Sequence, residues 1–75
     1  MITADDKIAD VIKRYPFIKK SLIARNKIYS NLNNPFILKA VTARGVKIKD
    51  VTGVSGENLE DFLLFLNTEI KKNGE

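Results

Sequence analysis

Leu59-Glu60-Asp61-Phe62-Leu63-Leu64-Phe65-Leu66-Asn67-Thr68-Glu69-Ile70 decides the fold. With Leu59 at zero on a helical wheel of about 100° per residue, Phe62, Leu63, Leu66 and Ile70 all fall within about 60° of it. That is a continuous apolar stripe, and it predicts a helix over 58–72, ending near Asn73-Gly74. Glu60 and Asp61 sit at its start, where carboxylates complement the helix dipole. Leu64 lies about 140° from the stripe, and Phe65 about 120° away on the other side. Neither shares the stripe fully, so Leu64 and Phe65 form a candidate interaction surface. A short helix wrapping round to cover Phe65 is the alternative.

Upstream, Ile48, Val51, Thr52 and Ser55 keep helical spacing, closed by Gly56, and predict a helix over 48–55. Gly53 inside it lowers helix propensity by about 1 kcal/mol relative to Ala. Asn34-Pro35 reads as an N-cap followed by a first helical residue. Ile37, Leu38 and Val41 give that helix, 35–44, an apolar face, and Gly45 stops it. Residues Lys27 to Asn33 show no clear period, and Ser30, Asn31, Asn33 and Asn34 mark a loop. Phe17, Ile18, Leu22 and Ile23 predict a helix over 17–25, with Pro16 at its entrance and Asn26 as a left-handed stop. Ile8, Val11, Ile12 and Tyr15 predict the first helix, 4–15, opened by a Thr3-x-x-Asp6 cap signal. Val46-Lys47-Ile48 is too short to count as a strand. The expected fold is all-α: four or five short helices around one core, in a single domain over 1–75.

Composition excludes much chemistry. The 75 residues contain no Cys and no His, so thiolate nucleophiles, disulfides and the commonest general base and metal ligand are missing. With 4 Gly there is no glycine-rich phosphate loop. The acid pairs Asp5/Asp6 and Glu60/Asp61 read as helix-start carboxylates rather than catalytic or Mg²⁺-binding groups. Ser21, Ser30 and Ser55 have no base to activate them. Tyr15 and Tyr29 read as core or rim aromatics, a ring pocket for a ligand being the alternative. No catalytic residue, cofactor or metal site is expected. The N-terminal residues are acidic where a signal peptide would be basic, and the longest apolar run, Phe62 to Leu66, is far short of a membrane span. A cytoplasmic protein without membrane contact is expected.

Three blocks, in order, carry a family resemblance. They are Ile8-Ala9-Asp10-Val11-Ile12-Lys13-Arg14-Tyr15-Pro16 with Phe17-Ile18; Asn34-Pro35-Phe36-Ile37-Leu38; and Val46-Lys47-Ile48-Lys49, Gly56, Leu59-Glu60-Asp61-Phe62-Leu63 and Leu66-Asn67. From about Thr3 to Asn67 the chain resembles a small bacterial and archaeal domain-of-unknown-function family. Its cysteine-bearing branch is the hybrid-cluster-protein-associated redox disulfide domain. The resemblance implies an all-helical fold that occurs alone or ahead of sensor-like regions such as hemerythrin-type and PAS domains. The redox branch has Cys-x-x-Cys in the loop after the second helix. The matching stretch here, Lys27-Ile28-Tyr29-Ser30-Asn31-Leu32, has none, so the chain looks like the cysteine-free branch.

Charge offers a second reading. Residues 1–44 hold 9 Lys/Arg against 3 Asp/Glu, a net +6, and residues 45–75 hold 4 against 6, a net −2. Lys13, Arg14, Lys19, Lys20, Arg25 and Lys27 form a candidate basic surface for nucleic acid or anionic ligands. The plain alternative is the solvated faces of two amphipathic helices. The run Asp50-Val51-Thr52-Gly53-Val54-Ser55 invites a helix-turn-helix reading. With Gly53 as the turn, Lys49 falls where a small buried residue is needed; with Gly56 as the turn, Glu57 falls where an apolar one is needed. In both frames the recognition helix carries Glu57, Glu60 and Asp61, which oppose a phosphate-lined groove.

The leading functional expectation is therefore a non-enzymatic interaction or sensor-accessory module acting on a protein partner or by self-association. The alternative is a binder of nucleic acid or anionic ligands through the basic half. Selection from a random-site duplex library at ~150 mM salt is expected to enrich no consensus; a reproducible motif would overturn the exclusion of sequence-specific DNA reading.

Overall fold

The computed structural model describes residues 1–73. Five α-helices, α1 (Ile8–Arg14), α2 (Ile18–Arg25), α3 (Pro35–Arg44), α4 (Ile48–Ser55) and α5 (Leu59–Lys72), are joined by short links, with a 3₁₀ helix (Lys27–Asn33) between α2 and α3. No strand occurs among the described residues, and the fold is all-α as expected. Gly74, part of the expected end of the last helix, lies outside the described residues.

The core is built on α5. Phe62 and Leu66 are fully buried, and Ile70 nearly so. Around them gather Ile8 and Val11 of α1, Ile18 and Leu22 of α2, and Ile48 of α4, with Tyr15 from the α1–α2 link. Leu59 and Leu63, read as equal members of the stripe, are only half-buried and pack at its edges.

Local signals fix the later helices. Asn34 Oδ1 accepts from the Phe36 N–H at 2.9 Å, with Pro35 as the first helical residue. Gly45 and Gly56 close α3 and α4 in the left-handed conformation, φ 62° and 77°. Asn58 caps α5 by accepting from the Asp61 N–H at 3.0 Å. The apolar face expected of α3 is not core, however. None of its residues is buried, Leu38 and Val41 are half-buried, and Ile37 is exposed.

The first half departs further from expectation. The first helix begins at Ile8, not residue 4, and ends at Arg14. Thr3 and Asp6 do bond, through the Thr3 N–H to Asp6 Oδ2 at 2.7 Å, but they close a free-standing turn rather than cap a helix. The following backbone pairs elsewhere: Ile8 N–H to the Val46 carbonyl, Ile48 N–H to Asp6, and Lys49 N–H to Ala4, at 2.9–3.1 Å. Val46-Lys47-Ile48, dismissed as too short for a strand, supplies an antiparallel bridge between Lys7 and Lys47. Asp5 pairs with Lys49 at 3.2 Å instead of facing a helix dipole.

Tyr15 ends α1 because the residue before Pro16 is pushed out of the helical region, here to φ −127°, ψ 81°. Pro16 and Phe17 form a turn, so α2 starts one residue later than expected, at Ile18. Asn26 is extended (φ −155°), not left-handed; its side chain accepts from the Ile28 N–H and so caps the 3₁₀ helix. That helix replaces the expected loop. Its buried residues, Tyr29 and Leu32, stand three apart, the spacing that three residues per turn place on one face. At the N-terminus, Ile2 is buried, and its N–H and carbonyl both bond the Asn67 amide, at 2.8 and 3.1 Å.

Two stability changes follow. Leu66→Ala is expected to cost about 2–5 kcal/mol, a large share of a small domain's stability, and half-buried Leu63→Ala clearly less. At Gly53 an added Cβ meets nothing within 4 Å, so Gly53→Ala is expected to stabilise by about 0.5–1 kcal/mol. Thermal unfolding followed by far-UV circular dichroism reads all three. Equal losses for Leu63→Ala and Leu66→Ala would contradict the placement of the core.

Candidate functional site

Although Leu38 and Val41 of α3 pack against the edge of the core, an apolar groove of about 520 Å³ opens between the 3₁₀ helix, α3 and α4. Tyr29 and Leu32 form its floor. Val41 of α3, Val46 of the link and Val51 of α4 form its walls, and Ile28 and Val54 its rim. Val54 is 85% exposed on the solvent side of α4. Phe36, at the start of α3, is 81% exposed. Two charged side chains line the groove. Asp50 is occupied at the start of α4, accepting the Lys47 N–H at 3.1 Å. Arg44, in the last turn of α3, has no hydrogen-bond or ion-pair partner among the described residues. The volume and largely apolar lining, with few polar groups, match those of small-ligand and peptide sites.

A polar relay runs from the floor of this groove to a second depression, which Arg25 and Phe65 line. The Tyr29 hydroxyl donates to the Glu57 carboxylate and pairs with Ser55 Oγ at 3.3 Å. Arg25 Nε donates to Glu57 Oε1 at 2.6 Å. The Arg25 guanidinium also lies 4.7 Å from the centre of the Phe65 ring, a cation–π contact. Burial first, and then the bond to Glu57, pushes the Tyr29 phenol from 10.0 up to about 12. Tyr29 and Tyr15 are both buried, so each is a core aromatic; Tyr29 also lines the groove.

The residues singled out in sequence are thus divided. Leu64 is 68% exposed, as its wheel position implies, but Phe65 is half-buried beneath Arg25. They border a depression shared with Arg25, Asp61, Glu69 and Lys72, a charged surround rather than an apolar patch. Of the basic set, Lys13, Arg14, Lys20 and Lys27 are exposed and Lys19 half-buried. Arg25 is committed to Glu57 and Phe65, so it is not a free member of the set. Arg14 lies 5.4 Å from the centre of the Tyr15 ring. Sequence reasoning missed the groove, since no single element contributes more than four of its eleven lining residues. The one local sign was the Tyr29/Leu32 spacing.

Among the described residues, no group of three or more Asp or Glu is placed to hold a metal ion, and no helix is long and apolar enough to cross a membrane. No family model, curated protein or solved structure matches the chain.

The Tyr29 relay has a pH signature. A phenol raised from 10.0 to about 12 on folding contributes fully to stability below about pH 10. As pH rises from about 10 to 12 the unfolded chain ionises first, and that stability is lost at up to about 1.4 kcal/mol per pH unit. Denaturant titrations across this range are expected to fall more steeply for the natural protein than for Tyr29→Phe. Parallel profiles would show that the phenol is not held neutral by folding.

Proposed function

We propose that the protein is a binding module that seats an apolar ridge of a partner in the groove between the 3₁₀ helix, α3 and α4, without catalysing a reaction. The observation that carries this reading is α3 itself. Seven of the ten residues of Pro35–Arg44 are apolar, counting Pro35, and none is buried. A helix apolar around most of its circumference is ordinarily covered, and contiguous exposed apolar surface marks interaction sites. The Leu64/Phe65 surface supports the reading less well, because Arg25 occupies one of its two residues. An accessory role also accords with the family that the sequence resembles, whose members stand alone or ahead of sensor-like regions.

The test is a ¹H–¹⁵N titration of the isotope-labelled chain with the neutral apolar dye N-phenylnaphthylamine. Shifts are expected at the amides of Ile28, Val41, Val51 and Val54, with those of Leu64 and Thr68 still. Val54→Glu, on an exposed position, is expected to leave the fold intact and weaken the dye at least ~5-fold, since a carboxylate at an apolar rim opposes apolar burial. Shifts centred on Leu64, or none, would overturn the proposal.

A further inference from the structure

From the charge around this groove we infer that its partner is an acidic amphipathic helix of another protein, an inference that rests on the groove being a binding site. Between Asp10 and Asp50 the sequence has no acidic residue, and residues 11–49 carry 10 Lys/Arg. The groove is assembled from the second part of that stretch and from α4. Residues 27–55 hold Lys27, Lys39, Arg44, Lys47 and Lys49 against Asp50 alone, a net +4. Lys49 is neutralised by Asp5 at 3.2 Å, and Asp50 is held by the Lys47 N–H. Arg44 stands on the lining without a hydrogen-bond or ion-pair partner among the described residues. Beside it, the Lys7 side chain crosses the Gly45 turn, its Nζ 3.6 Å from where a Cβ on that glycine would stand. Arg44 on the lining and Lys7 over the adjoining Gly45 turn thus bring two cations, from α3 and from the segment before α1, to an apolar groove.

This arrangement selects among occupants. A second copy meeting this one groove to groove would set Arg44 and Lys7 against their own counterparts, and like charges across an interface disfavour that pairing. A planar anionic membrane would complement the charge but not the concavity, since Tyr29 and Leu32 lie at the bottom of a groove that only a protruding ridge reaches. Nucleic acid would leave that floor unfilled. An α-helix offers the ridge: apolar residues at i, i+3, i+4 and i+7 enter the groove, and carboxylates on the flanks meet Arg44 and the neighbouring lysines. Arg44 is the specificity element because its planar guanidinium takes a carboxylate in a bidentate pair.

Three fluorescein-labelled 14-residue peptides share one leucine stripe at i, i+3, i+4 and i+7 and differ only in their flanks: Glu, Gln or Lys. Anisotropy titrations use the full chain in dilute salt. The Glu-flanked peptide is expected to bind about 10-fold or more tighter than the Gln-flanked one, and the Lys-flanked one weakest, with the gap narrowing in ~0.5 M salt. Arg44→Gln is expected to weaken the Glu peptide by about 5-fold and leave the Gln peptide unchanged. Val54→Glu should weaken every peptide, and Leu64→Lys none. If the Glu and Gln peptides bind equally and Val54→Glu still weakens both, the groove stands as a site and the acidic partner is wrong. If no peptide binds, or Val54→Glu changes nothing, both readings fall. Tighter binding to phosphatidylglycerol vesicles or duplex DNA than to the Glu peptide, or a dimer in sedimentation that Val54→Glu dissolves, would also overturn the inference.

Discussion

Among the described residues, only one helix is long enough to organise the others. The α5 helix spans 14 residues, while α1 to α4 span 7 to 10 each, below the length at which an isolated helix persists in water. Each short helix therefore depends on tertiary contact, and the Phe62–Leu66–Ile70 stripe is the surface that provides it. The α2 and α4 helices pack on α5 directly. The 3₁₀ helix does so through Tyr29, whose ring lies 5.8 Å from that of Phe62. The N-terminus is fastened by the paired amide bonds between Ile2 and Asn67. The principal neighbours of α3 are instead the 3₁₀ helix and α1. One stripe does not serve every helix equally, and the groove lies where α3 is left standing away from it.

The relay through Glu57 fixes how the pieces around the groove meet. Arg25 ends α2, Glu57 lies in the α4–α5 link and Tyr29 sits in the 3₁₀ helix, so one carboxylate ties together three segments, and the Tyr29 hydroxyl adds the end of α4 through Ser55. Exposed ion pairs add little to stability. This one is partly shielded, with side-chain exposures of 28% for Arg25 and 14% for Glu57. Removing either partner would strand a charge more than it would lose an attraction. The relay also reassigns surface: with its guanidinium over Phe65, Arg25 turns that ring into the wall of a polar depression.

Legibility in the sequence tracked how local each signal was. Asn34-Pro35, Gly45 and Gly56 act within one or two residues of themselves, and α3 and α4 came out with the expected bounds. Thr3 and Asp6 formed the bond that their spacing implies, yet the same bond closes a turn as readily as it opens a helix. What decided between them was pairing with Val46 to Lys49, some forty residues away. Lys27 to Asn33 looked aperiodic because the period sought was 3.6, whereas Tyr29 and Leu32 repeat at three. The exposure of Leu64 followed from helical angles alone. The cover over Phe65 did not, because it comes from Arg25 on another helix. The groove was hidden for the same reason, being a property of three elements and of none singly.

Exposed apolar residues such as Phe36, Ile37 and Val54 are ordinarily a liability, since they promote association between copies. Of these, Val54 rims the groove that Arg44 lines, and on the proposed reading the Arg44 charge would oppose a like-charged copy while attracting an oppositely charged partner. On that reading the positive charge would have two consequences from one cause: self-association disfavoured, and discrimination among apolar ridges by the sign of their flanks. Burial of leucine-like side chains supplies attraction that any apolar helix shares. Arg44, the one cation on the lining among the described residues, would supply a difference between partners, and specificity is a difference. A groove without that charge would bind apolar surface indiscriminately, and a basic face without a groove would bind any polyanion; on the proposed reading the two features, coinciding, would select a narrower class.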